Sequence, residues 1–485
     1  MFNFLKRKKA KNTPRPRIQS RGYEAALVNR LTNSWTTTSR TADEELRADL
    51  KTLRARSRDM VRNNDYARRF MHLLGTNVVG PNGIGLQVKA KRVKADGTEK
   101  QDPAANKKIE SGWARWCRPE NASVTRRMSF RDIQRLFIQS VARDGEVLIR
   151  KRRNFNNPFR FALQALEPDH LDMDYDVTEL ANGNRIKMGV ELDPWGAPDA
   201  YHVLTNHPGE NIFYMKGRYR ERIPADEIIH AFIVERPGQT RAAPWMAASM
   251  THLMHAYRYQ ESEEVAARIG AAKMGFITSQ DSEGYAGDDE DDGDLVTEVR
   301  PGSFEQLPEG MSVETFDPDH PNTAFSDFMK SVLRGAAAGL NVSYNSLSSD
   351  LEGVNYSSIR QGVLEDRDNW MLLQAWMIDS FMVPVFETWL EMAILSGQVS
   401  LPMTSFDLYN APVWKPKRWG WVDPLKDMNA NIVAIENGLK SRADVIADQG
   451  GDIDDTFEAL ATEDKKAKAL KLNLKNGGNG NAKQT

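Results

Sequence analysis

Residues 322–395 constrain the fold more than any other stretch, because they contain two successive helical patterns of apolar residues. In the first pattern, apolar residues recur at spacings of three and four and therefore share one face of a helix. They are Phe325, Phe328, Met329, Val332, Leu333, Ala336, Ala337 and Leu340. The second pattern begins near Ser357 and continues past Pro384 to Leu395. The stretch predicts two long helices, with a kink or break of the second helix at Pro384.

The two predicted helices are joined by residues 341–356, which we call the connecting loop. This segment is rich in Ser and Asn and contains no Lys or Arg. Connections longer than about 12 residues without regular structure are uncommon in compact domains, and they tend to be functional or disordered. Taken by itself, the loop is most simply a surface crossing between two helices, but its length makes it the first candidate for a functional segment.

The charge balance limits the classes of partner. The chain of 485 residues has 65 Lys and Arg against 67 Asp and Glu, and a formal net charge of -2. This balance does not mark a general nucleic-acid-binding protein, so any contact with DNA must be local or of a kind that avoids a strong electrostatic field. The single cysteine, Cys117, excludes an internal disulfide and a Cys-based zinc site, and we expect its thiol to be buried and inert.

No targeting segment or membrane span is expected. The apolar residues at the start of the chain precede four basic residues, and no apolar h-region follows them. The most apolar window, residues 370–383, is interrupted by Gln374 and Asp379 and is too short to cross a bilayer. These features predict a soluble cytoplasmic protein.

Both ends of the chain have the composition of disordered segments. The first 21 residues hold eight Lys or Arg, two prolines and no acid. This composition predicts a disordered basic arm, with contact to nucleic acid or a protein partner as the alternative. The last residues, 471–485, are rich in Gly, Asn and Lys and are also expected to be disordered.

Residues 25–240 predict an α+β domain with a small sheet. A helical pattern covers residues 44–74, a second helix places Trp113 and Trp116 in a core, and Ser129 is a candidate N-cap for a third. Strand patterns follow at residues 146–150, 159–163, 185–190 and 201–204.

Six arginines in the first of these helices, between Arg54 and Arg69, suggest a DNA-binding stripe. They are interleaved with Asp49, Asp59 and Asp65, which favours a salt-bridged outer face instead.

Residues 244–273 could form one helix in which apolar and charged residues are mixed, a composition that suits packing beside copies of itself in a ring. The next segment, residues 275–321, is rich in Gly, Pro and acidic residues. Its run Asp288, Asp289, Glu290, Asp291 and Asp292 partly fits an EF-hand loop, but Val299 stands where the bidentate glutamate is required. We therefore expect a solvated acidic loop that projects from the ends of two long helices.

Residues 414–424 combine aromatic and basic side chains. Because helical patterns follow directly, a hydrophobic joint is favoured over a base-stacking platform.

The motifs of several enzyme classes are absent from the sequence. It contains no Gly-x-x-x-x-Gly-Lys-Ser/Thr phosphate loop, no His-Glu-x-x-His and no Gly-x-Ser-x-Gly. His252 and His255 on a predicted amphipathic helix are more typical of surface or packing positions than of metal ligands. The sequence therefore predicts no catalytic residue, no cofactor and no metal site.

Several segments resemble the lambda-type family of tailed-bacteriophage portal proteins. Residues 340–362 look like the family signature between a stem helix and a wing helix. Residues 54–68, followed by 77–86, are similar to its N-terminal wing motif. Shorter similar segments follow in the family's order at residues 128–131, 144–146, 166–169, 223–230, 237–241 and 438–452. The resemblance covers residues 46–464, with Ala242 standing where the family pattern has glycine.

The resemblance implies an α+β portal fold with a mixed α/β wing, a two-helix stem, a small clip insertion, a long kinked wing helix and a C-terminal helical crown. The implied segments are a basic disordered arm (1–24), the wing (25–240), stem helix 1 (241–274), the clip (275–321), stem helix 2 (322–340), the tunnel loop (341–356), the long wing helix and its return (357–412), the crown region (413–470) and a disordered tail (471–485).

The resemblance also implies a structural, non-enzymatic role in the virion. The chain would form a ring, normally of twelve copies, at the unique capsid vertex, and double-stranded DNA would be packaged and ejected through it. Terminase and the head-tail connector protein would dock at the clip, the major capsid protein would be a further partner, and assembly would occur in the host cytoplasm. A helical adaptor or scaffold that binds proteins without DNA, and an unassigned hydrolase, are the alternatives.

A channel rich in Lys and Arg would hold DNA tightly through phosphate contacts and oppose its translocation. We therefore hypothesise that the connecting loop contacts DNA through weaker, neutral hydrogen bonds, with sparse positive contacts from Lys330 and Arg334 in the stem. The candidate loop residues are Ser343, Asn345, Ser346, Ser348, Ser349 and Asn355. The acidic run of residues 288–292 is the candidate partner-binding site in the clip.

Overall fold

The computed structural model describes residues 23–93, 96–210, 219–271, 275–279, 311–315, 324–353, 355–421, 423–470 and 472. The α-helices are α1 (Ala42–Asn63), α2 (Asp65–Leu74), α3 (Pro103–Trp116), α4 (Pro119–Ala122), α5 (Phe130–Asp144), α6 (Met250–Ala271), α7 (Phe325–Gly339), α8 (Tyr344–Ser348), α9 (Tyr356–Met377), α10 (Val383–Leu395), α11 (Phe406–Tyr409), α12 (Pro424–Glu436), α13 (Arg442–Asp448) and α14 (Ile453–Ala469). The π-helical turns are Gly75–Val79 and Ile378–Met382.

The strands are β1 (Gly85–Val88), β2 (Lys91–Val93), β3 (Glu99–Gln101), β4 (Val147–Arg153), β5 (Phe161–Leu166), β6 (Arg185–Lys187), β7 (Val190–Leu192), β8 (Pro198–Leu204), β9 (Arg220–Pro224), β10 (Ile228–Ala231), β11 (Gly275–Ser279), β12 (Met311–Thr315) and β13 (Pro412–Lys415). They pair antiparallel in sheets of order β6-β7-β8-β9, β10-β4-β5, β1-β13, β2-β3 and β11-β12. The predicted α+β class is confirmed.

Aromatic side chains fill the main core, as predicted for the two tryptophans of α3. The ring centroids of Trp113 and Trp389 lie 4.9 Å apart, and those of Trp116 and Phe161 lie 5.5 Å apart. The Trp116 Nε1–H donates to the Phe161 carbonyl at 3.0 Å, so the indole's one polar group is satisfied inside the core. Cys117 is half-buried at the end of α3, and burial raises the pKa of its thiol.

The sequence at both ends of α5 sets where this helix begins and ends. Ser129 is the predicted N-cap and forms a capping box with Asp132, in which each side chain accepts a hydrogen bond from the other residue's backbone N–H. At the C-terminal end Gly145 has φ +90°, and a Cβ there would lie 2.2 Å from the Ala242 carbonyl oxygen. Only glycine fits this turn, which leads directly into β4.

A buried cluster of charges lies between α1 and the three-stranded sheet. The carboxylate of Glu146 is fully buried and contacts the guanidinium groups of Arg54 and Arg241. Its Oε2 atom also lies at hydrogen-bond distance, 2.9 Å, from His230 Nε2. Burial opposes ionisation of Glu146, but Arg241, Arg54 and His230 outweigh it and hold the carboxyl pKa well below its ordinary value. Arg54, Arg58 and Arg62 form ion pairs, but only Arg62 pairs with one of the interleaved acids, Asp59 at 3.4 Å. The expected outer face is wrong for Arg54, which is 1% exposed.

Helices α6 and α7 pack side by side in opposite directions. Near the start of α6, Ser249 Oγ donates to the Ala336 carbonyl at 3.0 Å, and further along α6 the Tyr259 ring lies 4.6 Å from the ring of Phe328. A Cβ on Gly339 would lie 2.3 Å from Ser249 Oγ, so the small residues at the end of α7 permit this close approach. The first helix was predicted from residue 244, but residues 245–249 form turns and α6 begins at Met250.

The irregularity of the second long helix lies before the proline. Between α9 and α10 the chain makes the π-helical turn Ile378–Met382, in which the Val383 N–H donates to the Ile378 carbonyl. Pro384 then stands in the first turn of α10, where its missing N–H leaves no bond unmade. The predicted end at Leu395 is confirmed, and the predicted kink at Pro384 is corrected to a wide turn just before it.

The C-terminal helices α12, α13 and α14 pack little against the rest of the chain. Of their residues, only Ala467 is buried. Several large apolar side chains on them are exposed, namely Leu425, Met428, Ile432, Val433, Phe457 and Leu460. Their described attachments to the body are ion pairs and hydrogen bonds, such as Lys89 to Asp452 at 3.0 Å and Arg360 to Asp427 at 3.0 Å.

Candidate DNA-channel loop

The first part of the connecting loop has regular structure, which corrects the expectation of an irregular segment. Residues 344–348 form the single-turn helix α8. Ser343 is its N-cap and accepts from the Ser346 N–H at 3.3 Å, and Ser349 ends it in the left-handed conformation with φ 59°. Short polar side chains at a helix start explain why a stretch rich in Ser and Asn can fold here.

Asp366 of α9 holds this part of the loop. Its carboxylate is 7% exposed and accepts three hydrogen bonds, from the Ser343 N–H at 2.7 Å, the Ser343 hydroxyl at 2.7 Å and the Ser346 hydroxyl at 2.6 Å. The Ser348 hydroxyl also donates inside the loop, to the Tyr344 carbonyl at 2.8 Å. Three of the predicted DNA-contacting serines therefore direct their hydroxyl protons towards the protein.

Further contacts fix the same segment, residues 341–349, which we call the loop base. Asn369 Nδ2 donates to the Asn341 carbonyl at 2.9 Å, and Arg69 Nε donates to the Ser346 carbonyl at 3.2 Å. Leu347 is 1% exposed and belongs to the main hydrophobic core. The loop base is therefore anchored to α9, to α2 and to the core.

The described residues of the rest of the loop, 350–353 and 355, are more exposed, and we call them the loop tip. Leu351, Glu352 and Asn355 are exposed, and Asn355 caps α9 by accepting from the Ser358 N–H at 2.9 Å. Asp350 accepts from the Glu352 N–H and the Tyr344 hydroxyl, which hold the pKa of its carboxyl below its ordinary value. At neutral pH the loop tip therefore carries negative charge.

The two predicted stem cations lie beside the connecting loop. The Lys330 ammonium is 4.0 Å from the Asp350 carboxylate, and the Arg334 guanidinium lies over the Tyr344 ring at 5.6 Å from its centroid. The structure thus brings Lys330 and Arg334 together with the loop, so their charge is partly balanced by Asp350.

The remaining predicted residues are distributed differently. Ser349 is exposed and Asn345 is half-buried in the loop base. The acidic run of residues 288–292, the basic arm up to residue 22 and the tail from residue 473 lie outside the described residues.

Asp366 is the site residue that the sequence analysis missed. It occupies a buried stripe of α9 with Trp370, Gln374 and Met377, at spacings of four, four and three. An acidic residue on a buried stripe needs hydrogen-bond donors from another segment. The sequence does not show which segment supplies those donors.

In the described part of the chain, Glu167, Asp169 and His207 form a group whose possible metal-ligating atoms lie within 4.8 Å of one another. The Arg58 guanidinium pairs with both carboxylates. The Arg58 guanidinium already pairs with the oxygen atoms that a metal ion would need, so the group is an ion-pair cluster. None of the described helices is long and apolar enough to span a membrane.

Comparison with known proteins gives the family. The sequence profile of the phage portal protein, lambda family, matches residues 28–374. A probable portal protein of Halomonas phage phiHAP-1 is 38% identical over 459 residues, covering 93% of this chain and 88% of the relative. Portal protein B of Escherichia phage lambda is 24% identical over 482 residues, covering 90% of this chain and 88% of the relative.

Among solved structures, a chain in the neck of an empty gene transfer agent particle, computed with C6 symmetry, has 14% identity and a TM-score of 0.43. The matched region covers 83% of this chain and 93% of the neck chain. A chain in the neck of the native particle, computed with C12 symmetry, has 12% identity, the same TM-score and the same coverage.

The α+β fold and the sequence relatives together define a structural component of a phage particle. The chain belongs to the lambda family of phage portal proteins. It therefore has a structural portal role, and portal proteins are components of the virion.

Proposed function

We propose that the protein assembles into a closed ring of twelve copies at one vertex of the capsid, and that double-stranded DNA passes through the ring during packaging and ejection. One observation carries the proposal of self-assembly. Helices α12–α14 expose large apolar side chains, among them Leu425, Phe457 and Leu460, that no described part of the same chain covers. Exposed apolar surface of this kind is typical of an interface between proteins.

The charges of α6 support the same proposal. This helix buries Leu253 and Ala256 but exposes Tyr257 and Val265 together with Glu261 and Glu264. A mixed apolar and charged surface suits packing against a neighbouring copy, in which the acidic groups meet cations of the next subunit.

Electron microscopy and native mass measurement of the purified full chain test the ring. We expect a ring with a central opening wide enough for a duplex. A monomer at all concentrations would contradict the proposal, and a solid oligomer without an opening would favour the helical adaptor or scaffold.

The connecting loop is the proposed DNA-facing part of the channel. Because the hydroxyl protons of Ser343, Ser346 and Ser348 are used inside the protein, contacts to DNA fall mainly on Ser349 and the loop tip. Ionised Asp350 and Glu352 repel phosphate groups, while Lys330 and Arg334 add limited attraction. Such a surface makes few phosphate contacts and so holds a moving duplex weakly.

Lysines placed at the exposed positions Ser349 and Leu351 test this role. The double variant Ser349→Lys/Leu351→Lys should still form rings, but it should package DNA more slowly and hold it with a steeper salt dependence. On duplex DNA, each phosphate neutralised changes the slope of the logarithm of the binding constant against the logarithm of the salt concentration by about -0.9. The control Thr98→Lys/Ser111→Lys adds the same charge at exposed positions elsewhere. Equal packaging rates and salt slopes for the two variants would contradict the proposed role.

The acidic run of residues 288–292 is proposed as part of the docking site for terminase and for the head-tail connector protein. Five consecutive acidic residues suit a basic surface on either partner. Replacing them with Asn and Gln should weaken terminase binding, most clearly at low salt, and unchanged binding would remove the run from the docking site.

A further inference from the structure

We propose that Asp366 is a positioning residue that latches the loop base to α9 and thereby sets where the loop tip lies in the channel. The proposal rests on the proposed function of the connecting loop for its consequence in DNA packaging. The latch itself is argued only from hydrogen bonds within one chain and does not depend on the function of the loop.

The latch is formed by a single carboxylate with three donors. Oδ1 of Asp366 accepts the Ser343 N–H, and Oδ2 accepts the hydroxyls of both Ser343 and Ser346. All three donors belong to the loop base. A buried carboxylate that loses its donors is strongly destabilised, so release of the loop base would leave Asp366 unsatisfied until water reached it.

The same face of α9 supplies a second contact. Asn369 lies one turn after Asp366, and its amide donates to the Asn341 carbonyl at the start of the loop base. Further along α9, Gln374 Nε2 donates to the carbonyls of Asn77 and Lys417. One rigid helix therefore connects the loop base to the folded body, and a displacement of α9 would move the loop base with it.

Asn355, the last residue of the loop tip, caps the start of α9, whereas Asp350 and Glu352 have no described contact with α9. Asp350 is bonded to Tyr344 of the loop base and faces Lys330, and Glu352 donates its N–H back to Asp350. The position of Asp350 and Glu352 is consequently set by the loop base, and Asp366 supplies three of the hydrogen bonds that hold the loop base to α9.

Hydrogen–deuterium exchange on the assembled full-length ring tests the latch. With Asp366→Ala, amides of residues 341–349 should exchange at least about tenfold faster, because hydrogen bonds to a charged acceptor are lost. Asp366→Asn should have a smaller effect, since its carbonyl oxygen can still accept from Ser343. The control Asp368→Ala removes an exposed carboxyl two residues further along α9 and should leave exchange unchanged.

A second variant keeps the test decisive if Asp366→Ala fails to fold. Ser346→Ala removes one hydroxyl donor to Asp366, leaves the Ser343 cap of α8 in place and should also speed exchange of the loop base. Exchange that stays at the level of the unmodified ring in every foldable variant overturns the latch.

DNA packaging by the same rings separates the two proposals. Faster exchange together with impaired packaging or retention is the expected result. Faster exchange with normal packaging would support the latch but overturn the proposed function of the loop in the channel.

Discussion

The N-terminal body (residues 42–231) and the C-terminal helices α12–α14 hold their charged side chains in opposite settings. In the body, Glu146 is fully buried among Arg54, Arg241 and His230. At the C-terminal helices most ion pairs lie at the surface, as in Lys440–Asp448, and Lys89–Asp452 is half-buried. Buried pairs are costly to break, whereas exposed pairs contribute little.

The apolar side chains of the two regions differ in the same way. The body encloses aromatic residues such as Trp116 and Phe161, while α12–α14 expose Phe457 and Leu460. We expect the body to be stable as a single chain, and in the proposed ring we expect the C-terminal helices to gain their apolar contacts from neighbouring copies. Each of the following variants can break or sharpen this comparison.

The largest effect is expected in the aromatic core. Trp116→Ala should lower the free energy of unfolding by about 3–5 kcal/mol, because it removes a fully buried indole and leaves a cavity. Trp195→Ala is the matched control, since Trp195 is 95% exposed and its loss should change the free energy by less than about 0.5 kcal/mol. Chemical denaturation measures both, and similar losses for the two variants would contradict the assignment of the core.

An intermediate, pH-dependent effect is expected at Glu191 in β7. Hydrogen bonds from Arg222, and then from Asn184 and His202, lower the pKa of its carboxyl from 4.5 to about 2, although burial opposes this. The folded-state pKa is depressed, so the stabilisation is present above pH 4.5 and is lost as the pH falls towards 2. The melting temperatures of Glu191→Gln and the unmodified protein should therefore differ most near neutral pH and converge on acidification. A constant difference across this range would show that the carboxylate charge is not the cause.

The smallest effect on global stability is expected at the C-terminal attachment. Lys89→Ala removes the pair with Asp452 and should change the free energy of unfolding by less than about 1 kcal/mol. Amides of α14 should nevertheless exchange up to about fivefold faster. Lys91→Ala, which breaks a pair with Glu99 in the β2–β3 hairpin, is the control and should leave α14 unchanged. If Lys89→Ala lowered the free energy of unfolding as much as Trp116→Ala, the contrast between the two regions would be wrong.

Sequence patterns predicted the features that depend on nearby residues. The helical spacing of apolar residues predicted α7 and the end of α10 at Leu395, and Ser129 predicted the start of α5. The pairing of β1 with β13 was not predicted, because it joins residues 85–88 to residues 412–415 and local patterns carry no information about such distant partners. The burial of Arg54 was missed for a related reason, since its partner Glu146 lies on another element.

The candidate site was predicted as a segment and not as individual contacts. Composition and length directed attention to the connecting loop, but Ser343 and Ser346 could not be distinguished from Ser349 in a run of similar residues. The difference arises from Asp366, which bonds to the first two, while Ser349 is exposed.

Cross-linking of the loop to DNA tests the central claim most directly. Ser349→Cys rings would be stalled on DNA that carries thiol-reactive groups on its backbone, with Thr98→Cys as the exposed control. Cys117 should give little background, because burial raises its thiol pKa and keeps it protonated. We predict cross-links from Ser349→Cys and none from Thr98→Cys, whereas DNA-filled rings in which Ser349→Cys forms no cross-link would contradict the placement of the loop at the channel.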